Sequence, residues 1–303
     1  MYDKISVVGA LQTAIPFVEK FRDATFVLKL GGAAIRQTEV LQSILTQVRT
    51  LHILGMRLVI VHGGGEQATS LATRLGIETT MVDGRRVTDD SALEAVQLTL
   101  NGQINTSIVA AARRVKLDAV GLSGVSSSLI TATKRPPVQI GANGSSQLVD
   151  FGNVGDVSTI DARILEEMLA CNRVPVVSPL SADIDGNILN INADTISAQI
   201  AAALGADKLI YMSAPRGLMV SLEDASSLIS LVDVKQLRGQ VASGSVSDGM
   251  LPKVASAISA IDAGVPHAHF ISYAMENSLL LEVLTSEGCG TMIVSEGGAD
   301  LPT

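Results

Sequence analysis

Two periodicities alternate along this chain. Short apolar, β-branched runs at 26–30, 57–62, 118–122, 174–178, 208–212, 268–271 and 291–294 predict strands. Between them, segments with helical spacing at 38–54, 66–75, 90–114, 160–170, 194–204, 249–263 and 275–284 predict helices. Such alternation predicts an α/β fold, a mostly parallel open sheet sandwiched by helices. Residues 9–21 predict an extra N-terminal helix, with Leu11, Ala14, Ile15, Val18 and Phe21 at helical spacing. Two partners are open to that apolar face, the domain itself or another subunit.

The pattern breaks at 123–158, rich in Ser, Gly and Pro with short β-prone pieces, which predicts projecting β-hairpins. Asp185-Gly186 signals a turn between two short strands within 181–192. A lobe boundary falls near 178–190 without a floppy linker, and no internal repeat is evident.

Composition narrows the class. With 303 residues, 47% hydrophobic, 3% aromatic and no Trp, the chain can bury a large core, and that core is aliphatic. A net charge of −8 without a long basic run argues against nucleic-acid binding. Cys171 and Cys289 are isolated, which predicts reduced thiols rather than a zinc site or a disulfide framework. No apolar run approaches the roughly 18 residues of a spanning helix. Met1-Tyr2-Asp3-Lys4 lacks the basic segment and apolar stretch of a signal peptide, so none is expected. The expectation is a cytoplasmic protein with no membrane contact.

The chemistry gathers at strand ends, where ligands of such sheets bind. Phe26-Val27-Leu28-Lys29-Leu30-Gly31-Gly32 and Leu58-Val59-Ile60-Val61-His62-Gly63-Gly64-Gly65 each end an apolar run in glycine before helix-compatible sequence. Glycine lets backbone N–H groups approach an anion, and a following helix adds its positive end. Two such loops predict a polyphosphate substrate, with Lys29 as a point charge. Neither loop has P-loop or dinucleotide-fingerprint spacing. A tight turn with a surface lysine also fits the first loop; three consecutive glycines exceed what a turn needs. His62 reads as a strand-end packing residue rather than a general base.

Asp83-Gly84-Arg85-Arg86-Val87-Thr88-Asp89 offers two arginines, either of which could grip a carboxylate, and spacing does not choose between them. Asp89 reads as the N-cap of the next helix. Asn190 and Asn192 alternate, which places both amides on one face of a strand. Asp194 either caps a helix or positions lysines. In Asp248-Gly249-Met250-Leu251-Pro252-Lys253, Pro252 suits a first helical turn, and Lys253 there runs against the helix dipole unless an anion binds.

In this order the motifs resemble the amino acid kinase family, over almost the whole chain. Within it they resemble the branch that phosphorylates the side-chain carboxylate of N-acetyl-L-glutamate in arginine biosynthesis. The resemblance implies that Lys29 and Lys253 stabilise the transferring phosphoryl group and that Asp194 holds both lysines. Gly31, Gly32, Gly64 and Gly65 would present N–H groups to the phosphates and the acceptor. Ser213 and Gly249 would line the nucleotide pocket. Arg86 would bind the acceptor's free carboxylate, with Asn190 orienting it. ATP would bring its own Mg2+, with no dedicated metal site.

Leu279-Leu-Leu-Glu282 and Gly288-Cys-Gly-Thr291 resemble the arginine-sensitive type. Lys208, His269, Glu282 and Gly288 would then line an inhibitory arginine pocket, unless Glu282 is a solvated helix-end carboxylate. By the same resemblance, residues 1–22 form an oligomerisation helix that interlaces dimers into a homohexamer. Residues 23–180 form an acceptor-binding and dimerisation lobe, and residues 181–303 a nucleotide-binding lobe, on one continuous sheet.

The chain departs from the family pattern in three places. Ala33-Ala34 follows the first Gly-Gly where a small polar residue is usual. Val125-Ser126-Ser127-Ser128 follows Ser-Gly where the family carries an acidic residue, and Ser213-Ala214-Pro215 replaces Thr-Asp-Val. Two further readings stay open: a non-catalytic regulatory paralogue, and a kinase for a related acidic amino acid.

Overall fold

The computed structural model describes residues 4–82, 85–140, 147–219, 227–247 and 249–298. Met1–Asp3, Asp83, Gly84 and Asp248, singled out above, lie outside the described residues, as does the 141–146 part of the projecting region.

Eight strands form the main sheet: β1 (Thr25–Leu30), β2 (Arg57–His62), β3 (Ala119–Ser123), β4 (Val174–Ser178), β5 (Lys208–Ser213), β6 (Leu231–Asp233), β7 (His267–Ser272) and β8 (Thr291–Val294). Their order across the sheet is β6-β8-β7-β5-β1-β2-β4-β3. Neighbours run parallel except β7 with β8. Central β1 joins a half made of earlier strands to a half made of later ones. In register, Lys29 lies beside Val61 on β2 and Tyr211 on β5.

Side chains alternate across a strand, so β1 and β2 feed two cores. Phe26, Leu28, Leu30, Leu58 and Ile60 pack with Ile44, Leu45, Val48 and Leu51 of helix α3 (Thr38–Ile53). Val27, Val59 and Val61 pack with Ile196 and Ile200 of α8 (Ala193–Ala203). Lys29 falls on this second face, which brings its ammonium to the first turn of α8. Along the chain the helices are α1 (Lys4–Phe21), α2 (Gly32–Arg36), α3, α4 (Gly65–Arg74), α5 (Asp90–Gln97), α6 (Thr106–Arg114), α7 (Arg163–Ala170), α8, α9 (Val234–Ala242), α10 (Leu251–Asp262) and α11 (Ser278–Leu284).

Several expectations change. The helix at 90–114 is interrupted by a π-helical stretch, Leu98–Asn105. The expected helix start at 160 belongs to a strand, Gly155–Ile160, which pairs antiparallel with Ile130–Lys134. Together with Leu180–Ala182 and Ile188–Asn190 these make a four-stranded second sheet, and Val138–Ile140 with Gln147–Val149 makes a separate hairpin. Gly186 turns the Leu180–Ala182/Ile188–Asn190 hairpin with φ +86°, a conformation that glycine adopts without strain. Helices α2 and α9 and strand β6 have no counterpart in the sequence reading. At the end of α1, Phe21 stands edge-on to Phe26 with ring centroids 5.5 Å apart, while Val8, Leu11 and Ile15 stay exposed. Among the described residues, no helix is long and apolar enough to cross a membrane.

Candidate active site

The carboxyl edge of the sheet gathers the charged groups. Lys29 Nζ lies 2.6 Å from Asp194 Oδ1, with both side chains under a tenth exposed. Asp194 sits in the first turn of α8, where the helix dipole favours a carboxylate. It is not the cap: Asn192 Oδ1 accepts the Asp194 N–H at 2.7 Å and does that work. This also corrects the expectation of two amides on one strand face. The strand ends at Asn190, and Asn192 belongs to the helix entry.

Lys253 enters from the first turn of α10, its Nζ donating to Gly249 O at 3.2 Å. Burial lowers the Lys253 pKa, nearby Asp194 raises it, and Lys29 lowers it again. Two ammoniums therefore face one carboxylate, leaving an excess positive charge at this edge.

The glycine loops have different packing. A side chain on Gly64 would come within 2.8 Å of Leu100 Cδ2, and Ile104 crowds the same spot. Gly64 is therefore required by the π-helical stretch against it, since its φ of 167° is ordinary extended backbone. At Gly65 and Gly249 a Cβ would meet open space, and at Gly31 only Met212 O at 3.9 Å. These positions leave room for a ligand to approach the backbone. Helices α4, α8 and α10 all begin at this edge, adding their positive ends.

Arg86 is half-buried and its Nη2 donates to Gly65 O at 2.8 Å and to Thr69 Oγ1 at 2.5 Å. Arg86 is thus docked on the second glycine loop, its pKa lowered by burial. Asn190 lies nearby in sequence to the helix entry; its N–H donates to Asn153 O at 2.9 Å. Asp89 caps α5, accepting from Ala92 N at 2.8 Å.

His62 is buried and neutral. Burial lowers its pKa to about 4, against the opposing hydrogen bond to Gly63. Its Nδ1 lies 3.1 Å from Gly63 O and its Nε2 3.2 Å from Asn105 Nδ2. With both nitrogens engaged it is a packing residue, not a base. Asn105 also donates to Val176 O at 2.9 Å and Leu122 O at 3.2 Å. The π-helical stretch thereby ties β2, β3 and β4 together just below the glycine loop, and Asn101 accepts from Ser178 Oγ at its end. Ser213, the last residue of β5, is buried with its hydroxyl unpartnered among the described residues. Beside it, Ser272 Oγ donates to Ala214 O at 2.7 Å.

Residues 24–272 match the amino acid kinase family. The acetylglutamate kinase of Myxococcus xanthus is 39% identical over 290 residues, 95% of this chain and 94% of that protein. The acetylglutamate kinase of Heliobacterium modesticaldum is 37% identical over 294 residues, 97% of this chain and 100% of that protein. This chain belongs to the amino acid kinase family, with the acetylglutamate kinases. Among solved structures, the N-acetylglutamate synthase of Neisseria gonorrhoeae with coenzyme A and N-acetyl-glutamate superposes with a TM-score of 0.80 at 25% identity. That match covers 95% of this chain and 63% of the synthase, so this chain spans less than two thirds of the synthase's length.

In this member of the amino acid kinase family, the four residues of the expected arginine pocket do come together, away from the lysines. Lys208 Nζ lies 3.0 Å from His269 Nε2, and His269 Nδ1 lies 2.7 Å from Glu282 Oε1. Glu282 Oε2 accepts the N–H groups of Cys289 at 2.7 Å and Gly290 at 3.0 Å. Burial alone would raise the Glu282 pKa, but the His269 hydrogen bond and these N–H groups hold it at about 2. Glu282 is therefore a buried anion, not a solvated helix-end carboxylate. Burial first, and then the Lys208 charge, lower His269 to about 4, so the ring is neutral. Burial lowers Lys208 to about 8, opposed by Glu282. Gly288 has φ +62°, and a Cβ there would come 2.8 Å from Glu282 Oε2. Phe21, at the end of α1, holds its ring 5.0 Å from Lys208 Nζ.

Sequence reasoning missed Gln67, whose Nε2 donates to Gly32 O at 2.7 Å, bridging the two glycine loops. It also missed Asn101 and Asn105, whose polar side chains in the middle of an apolar helical pattern were the available signal. Among the described residues, no group of three His, Cys, Asp or Glu side chains is arranged to hold a metal ion.

Proposed function

We propose that this protein transfers the γ-phosphoryl group of ATP to the side-chain carboxylate of N-acetyl-L-glutamate, giving N-acetylglutamyl 5-phosphate and ADP. The observation that carries this reading is the Lys29–Asp194 pair beside Lys253, set between two glycine loops at the carboxyl edge. The acceptor carboxylate is already ionised and needs no base, which suits a site whose nearby buried histidine, His62, is neutral. An acceptor oxygen forms the new P–O bond while the bond to the bridging oxygen of ADP breaks. Lys29 and Lys253 offset the charge spread over the phosphoryl oxygens, and Asp194 keeps the two ammoniums together. Mg2+ enters as part of the ATP substrate. On this reading Gly31, Gly32, Ser213 and Gly249 serve the nucleotide, and Gly64, Gly65, Arg86 and Asn190 serve the acceptor. The acceptor lobe is 23–180 and the nucleotide lobe 181–303.

A hydroxamate assay with ATP, Mg2+ and N-acetyl-L-glutamate tests this. Turnover in the wild type that Lys29→Ala abolishes is the expected result. Absence of turnover on N-acetylglutamate, with turnover on another acidic amino acid in the same panel, would move the substrate to that relative and give the Val125–Ser128 loop the credit.

We also infer that arginine inhibits the enzyme at Lys208, His269, Glu282 and Gly288, in a cytoplasmic homohexamer joined through α1. The exposed Val8, Leu11 and Ile15 support a helix that packs on another copy. Phe21 over Lys208 connects that helix to the pocket. Arginine should inhibit the wild type, and Glu282→Ala should remove the inhibition. Wild-type activity indifferent to millimolar arginine would dismiss the pocket.

A further inference from the structure

The first turn of α4 makes contacts in two directions. Toward the acceptor side, Arg86 Nη2 holds Gly65 O at 2.8 Å and Thr69 Oγ1 at 2.5 Å. Toward the phosphate side, Gln67 Nε2 holds Gly32 O at 2.7 Å, across 35 residues of sequence. Glu66 adds an ion pair to Arg36 of α2 at 3.0 Å, but both side chains are more than half exposed, so it contributes little. Gln67 is the sheltered link. Its orientation is fixed by chemistry: a carbonyl needs a donor, and the opposite amide orientation would set two oxygens face to face.

Gly32 is shaped to this contact. Its φ does not lie in the left-handed region, so backbone conformation does not demand glycine there. A Cβ at Gly32 would instead come 3.1 Å from Gln67 Nε2 and 3.2 Å from its Cδ. The missing side chain at 32 is the space the amide occupies.

Resting on the kinase reading above, we propose that Gln67 is a positioning residue that fixes the separation of the two glycine loops. One loop serves the phosphates and the other the acceptor, so that separation sets how far the attacking oxygen lies from phosphorus. The role proposed for Gln67 is positioning, not substrate contact. It acts through Gly32 on one side and, through the helix it shares with Gly65, on Arg86.

The test compares steady-state kinetics of wild type, Gln67→Leu and Gln67→Glu, with thermal unfolding as a check on folding. The assay runs on whichever acidic acceptor the wild type phosphorylates. Leucine keeps the volume and removes the donor. It should lower kcat by roughly 10–100-fold, as a misplacement on the order of 1 Å does. KM for ATP and for the acceptor should stay within about threefold. Glutamate at 67 can donate to Gly32 O only as the neutral acid. Its kcat relative to wild type should therefore rise as pH falls from about 8 to about 6, because facing a carbonyl raises a carboxyl pKa. An unchanged kcat in Gln67→Leu overturns the proposal, as does a raised KM with kcat kept, which would make Gln67 a binding residue. A wild type inactive on N-acetylglutamate but active on another acceptor overturns the substrate reading alone. A wild type inactive on every acceptor overturns both.

Discussion

Asp194→Asn is the sharpest perturbation of the site, because it changes one charge and almost no volume. Asparagine keeps the shape of the side chain and leaves the Asn192 cap in place. What disappears is the counter-charge 2.6 Å from the Lys29 ammonium, in a spot where both side chains are under a tenth exposed. Removing one partner of a buried pair costs about 3–5 kcal/mol, since the other charge stays desolvated. Lys253, whose charge interacts with both Asp194 and Lys29, adds repulsion. The edge of the sheet lies close to water, so the lower figure, about 3 kcal/mol, is the appropriate one. For a chain of this size that is a drop in unfolding temperature of about 5 °C. A triphosphate would supply the missing negative charge. Saturating Mg-ATP should therefore stabilise the variant more than the wild type and close at least half of the gap. Dye-monitored or circular-dichroism melts with and without nucleotide read this directly, and kcat should fall on the order of 100-fold. Equal melting temperatures without nucleotide, or a gap that nucleotide does not narrow, would refute the charge argument.

Three further predictions follow from other parts of the molecule. His62 and His269 are both held neutral with pKa values near 4, below their ordinary 6.5. The unfolded chain therefore binds protons that the fold excludes, so the histidines' contribution is level above about pH 7 and falls by about 2 kcal/mol per histidine near pH 5; urea melts that do not weaken between those values would contradict it. Ser127 and Ser128 both have positive φ, 53° and 54°, so Ser127→Gly and Ser128→Gly should each leave stability unchanged or raise it by up to about 1 kcal/mol, as relief of strain offsets glycine's chain entropy. A clear loss of melting temperature in either variant would show that the serine side chains contribute more than the strain costs. Arg86→Lys replaces a fork with a point charge, so the acceptor KM should rise about tenfold or more while kcat changes less, and an unchanged KM would detach Arg86 from acceptor binding.

Much of this was legible in the sequence because the main sheet is built from long apolar runs bounded by glycine. Strands β1, β2, β4 and β5 lie within a residue of where the pattern puts them. What escaped has no period of its own. Strand β6 is three residues long and exists by pairing with β8, about sixty residues on. Helix α2 is a single turn held by the loop before it and by Gln67. The π-helical stretch hides in a helical pattern because one extra residue per turn shifts the face without changing composition. At the site, residue types pointed to roles, but only the fold separates Asn192 as a cap from Asp194 as an ion-pair partner. Nor could spacing alone show that Glu282 has both oxygens occupied by His269, Cys289 and Gly290.

The central place of β1 has a consequence for synthesis. One edge of β1 pairs with β2 almost at once, but the other waits for β5, which follows about 180 residues later. At ordinary translation speeds that is about 10–40 s during which an apolar strand offers an open row of hydrogen-bonding groups. Lys29 is the charge within that strand, and charge discourages edge-to-edge association between nascent chains. The lysine that would neutralise phosphate in the finished enzyme is also a guard on the half-made one. A fragment ending at residue 205 should aggregate, and Lys29→Leu should make it aggregate faster; equal rates would remove lysine from that second role.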